Sequence, residues 1–479
     1  MTLCFTNTLS REKEELKPLK EGEISLYVCG ITVYGETHIG HARGAVVFDV
    51  LRRFLEAQGF RVEHVRNITD IDDKIIDRAR REPGLDGDLN ARVREIARRF
   101  TDRFQADFGK LGLLKPNREP KATEFIPKMV EFIQNLVDRG IAYEAADGVY
   151  FSVRKLPEYG RLSHQNPDQM LENHRVETGD RKKDPLDFAL WKKAKPEEPS
   201  WPSPWGSGRP GWHIECSTMS TGILGDTFDI HGGGQDLIFP HHENELAQAL
   251  GAGKPFAKIW LHNGLLTLNG QKMAKSLGNF VTVEDVLKQY PADVLRLFFL
   301  SAHYRSPIDF TWERMEESKH SYETIISFLA HANALGSGES KIQDKDLGII
   351  QKFHDVLDDD LNTPQALACL HILIDHANKE LQTTARSEVI LGKKDPKSIE
   401  AETHVRGIRD KVRELLMLLG FQLEIKESFP AQVELLLEER EKFRREKQYA
   451  AADHVRSRLL ELGYLIEDTP DGVIVRRKL

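Results

Sequence analysis

The chain predicts an α/β fold: a parallel-sheet domain carrying an insertion, followed by an α-helical bundle domain and a small C-terminal α+β module. Three observations carry this expectation. A strand, helix, strand succession occupies residues 24–68, four amphipathic helical patterns follow Asp309, and the last fifty residues join two helical patterns to a hairpin-like ending. A chain of 479 residues has room for about three domains and a sizeable core.

The first element is the apolar run Ile24 to Val28, which reads as a buried strand running into a loop at Cys29 and Gly30. From Gly40 to Leu55 the apolar positions Val46, Val47, Val50, Leu51, Phe54 and Leu55 recur at helical spacing, and Gln58-Gly59 supplies a stop. Val62 to Ile68 then reads as a second strand, completing a unit long enough for a parallel crossover. The Pro- and Gly-rich region of about 115–225, with the charged run Asp180 to Asp184, reads as an insertion in the sheet domain, which extends over 1–310. Glu313 to Leu335, Lys345 to Leu357, Pro364 to Leu381 and Glu402 to Leu419 define a helical domain over 311–425. A charged helix from Ala431, a second helix through Leu462, and a turn at Pro470-Asp471-Gly472 place a separate module at 430–479.

Composition narrows the function classes. No stretch approaches the roughly 18 to 20 apolar residues needed to span a bilayer, so membrane readings are set aside. Met1 to Pro18 lacks the apolar core and cleavage site of a secretory signal, which makes the cytoplasm the expected location. Four cysteines in so long a chain do not form a disulfide framework; a pair with chemical surroundings reads as metal-binding or reactive, and Cys4 and Cys369 lack such surroundings. The net charge of -8 argues against bulk attraction to nucleic acid but leaves room for a local basic strip.

Two motifs carry nucleotide chemistry. His38-Ile39-Gly40-His41 lies between the first strand and the helix, where unpaired N–H groups and the helix dipole attract anions, and where two imidazoles can donate to phosphate oxygens. Lys272-Met273-Ala274-Lys275-Ser276 sets two ammonium groups three positions apart in a loop, able to embrace a polyphosphate. Neither is a Walker loop, because Gly264 and Gly270 enclose five residues and Gln271 precedes the lysine. Taken singly, helix capping accounts for the histidine pair and a solvated surface for the lysine pair.

The pair His38 to His41 and Lys272 to Ser276 resembles the HIGH and KMSKS signatures of class I aminoacyl-tRNA synthetases. The strings Tyr27 to Tyr34, Asn67 to Lys74, Gly208 to Cys216, Phe228 to Gly234, Pro240 to Glu245 and Asp358 to Pro364 are similar to the cysteinyl-tRNA synthetase family, and the likeness runs over nearly the whole chain. Ala274 departs from the usual Ser, removing a hydroxyl and leaving both lysines. The resemblance implies a Rossmann-like catalytic domain, ATP as substrate with Mg2+ held mainly by its phosphate oxygens, and one Zn2+ bound by Cys29, Cys216, His241 and Glu245. On residue chemistry alone, His241 and Glu245 share a face of a helix expected over His241 to Leu250, and two thiolates, an imidazole and a carboxylate fill a tetrahedral shell. A solvated Glu245 with Cys216 as a small buried hydrophobe accounts for the same residues, and four protein ligands also describe a closed structural site.

By the same resemblance the zinc accepts the sulfur of L-cysteine. An apolar pocket separates cysteine from serine or alanine by only about 1–3 kcal/mol, whereas zinc favours a soft thiolate over a hydroxyl; no hydrolytic editing domain is then needed. The family pattern assigns His38, Gly40 and His41 to the ATP α-phosphate, Lys272 and Lys275 to the leaving pyrophosphate, and Asp236 to the ribose. It sets Trp212 as a wall of the amino-acid pocket, with Thr69 and His231 as further lining candidates; core packing accounts equally for Trp212. It implies tRNA(Cys) as the acceptor, with the terminal module reading the anticodon and the helical domain contacting the tRNA body, and a monomer. Residues 430–479 hold ten Lys/Arg and ten Asp/Glu, so only Arg444-Arg445 and Arg476-Arg477-Lys478 point to phosphate contacts. Two other readings stand beside this one: a ligase joining cysteine to an amino sugar, as in mycothiol biosynthesis, and a non-catalytic RNA-binding relative.

Overall fold

The computed structural model describes residues 2–166, 181–273, 280–391, 396–423, 431–469 and 472–477. The chain divides into two compact units, one made of Met1–Lys319, Gln351–Ala368 and Leu418–Phe421, the other of His320–Ile350, Cys369–Met417 and Gln422–Leu479.

The first unit is built on a four-stranded parallel sheet of β1 (Glu23–Thr32), β2 (Arg61–Thr69), β3 (Thr227–Gly234) and β4 (Phe256–Asn263), in the order β4-β3-β1-β2. Strand β1 therefore lies between a neighbour that follows it directly and one that returns much later, which makes the carboxyl ends of β1 and β3 a topological switch point. β1 extends beyond the expected Ile24 to Val28: it continues to Thr32 past a register shift between Val28 and Ile31, so Cys29 and Gly30 leave the ladder. The sheet is covered on its faces, which is why Leu26, Tyr27, Ile230 and Trp260 are buried along near-continuous apolar runs.

Helix α1 (Ile39–Ala57) crosses from β1 to β2. His38 caps it, its Nδ1 accepting the His41 N–H at 3.3 Å, and Gly59 ends it in the left-handed region at φ 91. Its buried residues Ile39, Ala42, Val46, Val47, Val50, Leu51, Phe54 and Leu55 keep the 3.6-residue period; Phe54→Ala would cost about 3–5 kcal/mol.

Between β2 and β3 the chain adds the helices Asp73–Arg81, Leu89–Lys110 and Ile126–Asp138, then a four-stranded antiparallel sheet of Ala142–Ala145, Gly148–Phe151, Phe188–Lys193 and Gly208–Pro210. The first two helices have no counterpart in the sequence reading, although Val93, Ile96, Ala97, Phe100, Phe104 and Phe108 recur at helical spacing and are buried. Helix α2 (Trp212–Leu224) returns the chain to β3, and α3 (Glu243–Gly251) joins β3 to β4. The helix expected from His241 starts two residues later: Ile238–His242 forms a wide turn with Phe239 out of helical geometry. After β4, Leu266–Leu268 pairs antiparallel with Gln271–Lys272 and parallel with Ile308–Phe310.

The helices Trp312–Asn333, Asp344–Asp358, Thr363–Leu391 and Pro396–Leu418 occupy the region expected to be helical. Within the second unit, His404 is buried between Glu380 Oε2 and Asp346 Oδ2, each 2.6 Å from a ring nitrogen, and this joins three helices. The terminal helices Ala431–Arg445 and Tyr449–Glu461 pack with the hairpin Tyr464–Thr469 and Gly472–Arg477 around Val433, Leu436, Val455, Leu459 and Ile466. The expected turn at Pro470-Asp471 lies outside the described residues, as do Asp180 and Lys478. Among the described residues no helix is long and apolar enough to cross a membrane.

Candidate active site

Cys29 owes its position to the break in the β1 ladder. A Cβ on Gly30 would stand 1.6 Å from the Asn67 carbonyl oxygen, so only glycine lets β1 approach β2 here. The Asn67 side chain fixes the same point, its Oδ1 accepting the Gly30 N–H at 2.8 Å. Cys216 is on α2, while His241 lies in the wide turn before α3 and Glu245 in the first turn of α3. These four residues, drawn from β1, α2 and the β3–α3 connection, converge at the switch point.

Their ligand atoms all lie within 4.8 Å of one another. Cys29 Sγ is 3.6 Å from Cys216 Sγ and 3.3 Å from Glu245 Oε1, and His241 Nε2 is 3.0 Å from the same oxygen. Two sulfurs bound at about 2.3 Å to one zinc ion would stand about 3.8 Å apart at the tetrahedral angle, close to the separation seen. Cys216, His241 and Glu245 are buried and Cys29 is half-buried.

The electrostatics agree with a cation-binding cluster. Burial favours the neutral form of each group, yet His231 and His241 hold the Glu245 carboxyl well below its usual range. Burial likewise opposes a charged His241, but Glu245 and Cys216 raise it to about 10. Cys216 is driven toward the thiolate, to about 6 against its burial, by Cys29 and His241, while burial beside Cys216 pushes Cys29 up. A dication replacing the protons would offset two of the three negative charges carried by the two thiolates and the carboxylate.

A further layer holds the ligands. His231, fully buried, places Nε2 2.8 Å from Glu245 Oε2. His213 Nδ1 is 2.9 Å from His241 Nδ1; burial and the His241 charge disfavour a second proton on His213, so its Nδ1 accepts a hydrogen bond from His241 Nδ1–H and leaves His241 Nε2 toward the cluster. Trp212 stacks on His241 with ring centroids 4.1 Å apart. Thr69, also buried, donates to Glu215 Oε2 at 3.0 Å and receives the Asn67 amide at 3.2 Å. Burial and the nearby Cys216 push the Glu215 carboxyl well above its usual range. Thus Trp212 and His231 touch cluster residues directly, His241 and Glu245 respectively, while Thr69 reaches the cluster only through Asn67 and Glu215.

Cys29, His231, His242 and Glu245 form a second group at comparable spacing. His262 Nε2 engages His242 Nδ1 at 2.7 Å and leaves His242 Nε2 toward Glu245, but this group offers one sulfur instead of two, so the first group suits zinc better. Asn67, His213, His242, His262 and Glu215 were absent from the candidate residues. Glu215 and His242 each adjoin a candidate ligand in sequence, His213 follows Trp212 and precedes Cys216 by three residues, and Asn67 opens the string that contains Thr69.

The first signature approaches the described start of the second, at Gly40 and Met273. The rings of His38 and His41 stack at 3.5 Å. A Cβ on Gly40 would lie 2.9 Å from His38 Nδ1 and 3.2 Å from Met273 Cε. The main chain around the first signature also bonds the stretch beyond the second, with Ile39 N donating to Val281 O at 3.1 Å and Val283 N to Thr37 O at 3.0 Å. Lys272 ends the strand Gln271–Lys272, whereas Lys275 and Ala274 lie outside the described residues. Asp236 is exposed in the turn Gln235–Leu237 at the end of β3, its Oδ1 over Gly234.

Residues 15–320 match the class I (C) tRNA synthetase catalytic domain, 352–424 the DALR domain, and 426–476 the cysteinyl-tRNA ligase anticodon binding domain. The chain is 45% identical over 494 residues to the cysteine–tRNA ligase of Persephonella marina, covering 100% of both chains. It is 43% identical over 485 residues to that of Bacillus licheniformis, covering 100% of this chain and 99% of the relative. Among solved structures, Mycobacterium tuberculosis methionyl-tRNA synthetase in complex with methionyl-adenylate matches with a TM-score of 0.62 at 15% identity, over 83% of this chain and 90% of that one. A putative arginyl-tRNA synthetase from Campylobacter jejuni matches with a TM-score of 0.57 at 13% identity, over 86% and 95%. The structural likenesses carry the fold, and the full-length identities carry the lineage: the chain belongs to the cysteine–tRNA ligase family of class I aminoacyl-tRNA synthetases.

Proposed function

We propose that the chain joins L-cysteine to tRNA(Cys) in two acyl-transfer steps, with zinc selecting the substrate thiol. In the first step a carboxylate oxygen of cysteine attacks the α-phosphorus of ATP, the bond to the bridging oxygen breaks, and pyrophosphate leaves. In the second a terminal ribose hydroxyl of the tRNA attacks the carbonyl carbon of the adenylate and AMP leaves. The observation that carries this reading is the convergence of Cys29, Cys216, His241 and Glu245 in a chain of this family.

Cys29, Cys216, His241 and Glu245 would hold one Zn2+, which when bound supplies a soft Lewis acid for the cysteine sulfur. His231 and His213 orient Glu245 and His241. Trp212 covers the imidazole face, and Thr69 is held by Asn67 and Glu215, Asn67 being the one of the three that faces Cys216 Sγ, at 3.6 Å. His38 and His41 donate to the α-phosphate at the start of α1, Gly40 admits the nucleotide, Asp236 receives the ribose hydroxyls, and Lys272 and Lys275 stabilise the departing pyrophosphate. Their contribution is positioning and electrostatic stabilisation of the transition state. Mg2+ enters on the ATP phosphates. The sheet domain with its insertion, residues 1–310, performs activation; residues 311–425 contact the tRNA body; and 430–479 read the anticodon, in a cytoplasmic monomer.

Cysteine-dependent ATP–pyrophosphate exchange, followed by charging of tRNA(Cys) or of an amino-sugar acceptor, tests the reading. Exchange and tRNA charging together are expected. Exchange with transfer only to the amino sugar, or no exchange at all, would overturn it.

A further inference from the structure

We propose that Arg43 is a positioning residue for ATP: it locks the start of α1, which bears His38 and His41, to both chain segments that enter the sheet bearing Lys272. Arg43 follows His41 by two residues and is fully buried. Its guanidinium donates to main-chain carbonyls alone: Nη1 to Gly264 O at 2.7 Å and Leu265 O at 2.8 Å, and Nη2 to Tyr304 O at 3.4 Å and to Ser306 O. Among the described residues no carboxylate stands against it. Arg296, buried to the same degree, pairs with Asp49 at 2.9 Å, so a lone cation at Arg43 is not the rule for this core. Burial lowers the Arg43 guanidinium to about 10, which leaves it charged at neutral pH.

Such a cation is costly to bury without a counter-ion, and apolar packing would have served cohesion at less cost. What the guanidinium adds is span. Gly264-Leu265 leads into Leu266–Leu268 and the hairpin strand Gln271–Lys272, while Tyr304 to Ser306 leads into Ile308–Phe310, the third strand of the same sheet. One planar fork therefore holds α1 and both entering segments together, and the fit is tight: a Cβ on Gly264 would meet Ser306 O at 2.3 Å. Asn263 strengthens one arm, its Nδ2 donating to the same Gly264 carbonyl at 3.2 Å. A lysine ammonium, with donors diverging from one point, does not span four carbonyls.

The inference rests on the assignment of His38, His41 and Lys272 to ATP, and the experiment separates the two. Arg43→Lys and Asn263→Ala are made in the full chain and assayed by cysteine-dependent ATP–pyrophosphate exchange, with bound zinc and melting temperature measured alongside. Arg43→Lys is expected to lower kcat/KM for ATP about 10- to 100-fold, because small misplacements of reacting groups cost that much. KM for cysteine should stay within about twofold, with zinc content unchanged. Asn263→Ala should shift the ATP parameter in the same direction by less. A lower melting temperature with ATP and cysteine parameters unchanged, or falling together, would overturn the proposal. If Arg43→Lys does not fold, Asn263→Ala decides alone: an ATP-selective loss supports the proposal and no loss overturns it. His41→Ala in the same assay tests the ATP assignment itself, which fails if ATP parameters hold.

Discussion

His231 Nε2 stands 2.8 Å from Glu245 Oε2, while the other oxygen of that carboxylate faces Cys29 Sγ at 3.3 Å and His241 Nε2 at 3.0 Å. Glu245 is thus divided between a supporting imidazole and the cluster. Both partners are fully buried, so neither oxygen has water as an alternative.

Replacing His231 therefore acts through Glu245. His231→Ala is expected to weaken zinc binding about 10- to 100-fold, the usual loss for a partner that orients a metal ligand. Competition with a chromogenic chelator measures it. His231→Gln, which retains an N–H donor, should recover part of the loss; unchanged affinity in the alanine variant would separate His231 from the metal centre.

The second prediction addresses the sulfurs directly. Cys216 is the proposed ligand whose thiol the cluster drives toward the thiolate, and its sulfur lies 3.6 Å from that of Cys29. Cys216→Ser exchanges a soft thiolate for a hydroxyl that stays protonated, so bound zinc should fall below one ion per chain and cysteine should lose its advantage over serine in pyrophosphate exchange. Metal analysis and exchange with both amino acids check this. Full cysteine activation by the metal-free variant would remove zinc from the account of selectivity.

A third prediction concerns the break in β1. Gly30→Ala would drive a methyl group to within 1.6 Å of the Asn67 carbonyl oxygen, a contact the structure relieves only by separating β1 from β2. The expected cost is at least about 2–3 kcal/mol, from strain and the loss of the Gly30 N–H to Asn67 bond. Urea denaturation gives the stability. Because Cys29 precedes Gly30, the fraction that stays folded should bind less zinc; a folded variant with full zinc content would show that the ladder break does not position Cys29.

How much of this was legible beforehand follows the range of the interactions. Local period was readable: the buried residues of α1 from Val46 to Leu55 repeat at helical spacing. The four cluster residues were named in sequence because their motifs resemble a family; periodicity alone does not bring Cys29 and Cys216, 187 residues apart, to 3.6 Å. The residues behind the ligands were less visible, since Asn67 acts through a contact with the Gly30 main chain and His213 through His241 Nδ1. Arg43 shows the same limit, because its four acceptors are main-chain carbonyls, which any residue type supplies. The helix expected from His241 failed locally, as the wide turn Ile238–His242 intervenes, yet it still brings His241 to Glu245.

The last prediction is one of stability against pH, carried by Asp360. Its Oδ1 accepts from Thr6 N at 2.9 Å and the Tyr304 hydroxyl at 2.8 Å, and its Oδ2 from the Thr6 hydroxyl at 2.7 Å and Arg305 Nε at 2.9 Å. Burial pushes the carboxyl up, but these donors together hold it below the ordinary value of 3.8. A depressed carboxyl stabilises the fold fully above its unfolded value and loses that contribution as pH falls through the folded one. Asp360→Ala should therefore cost about 3 kcal/mol at pH 7, with Arg305 half exposed and contributing little of it. The gap between the two proteins should stay constant from about pH 5 to 8 and narrow below about pH 4 as the parent protein takes up the proton. Urea unfolding across that range decides it: a gap that widens on acidification would mean that Asp360 is stabilising as the protonated acid, contrary to the four donors that face it.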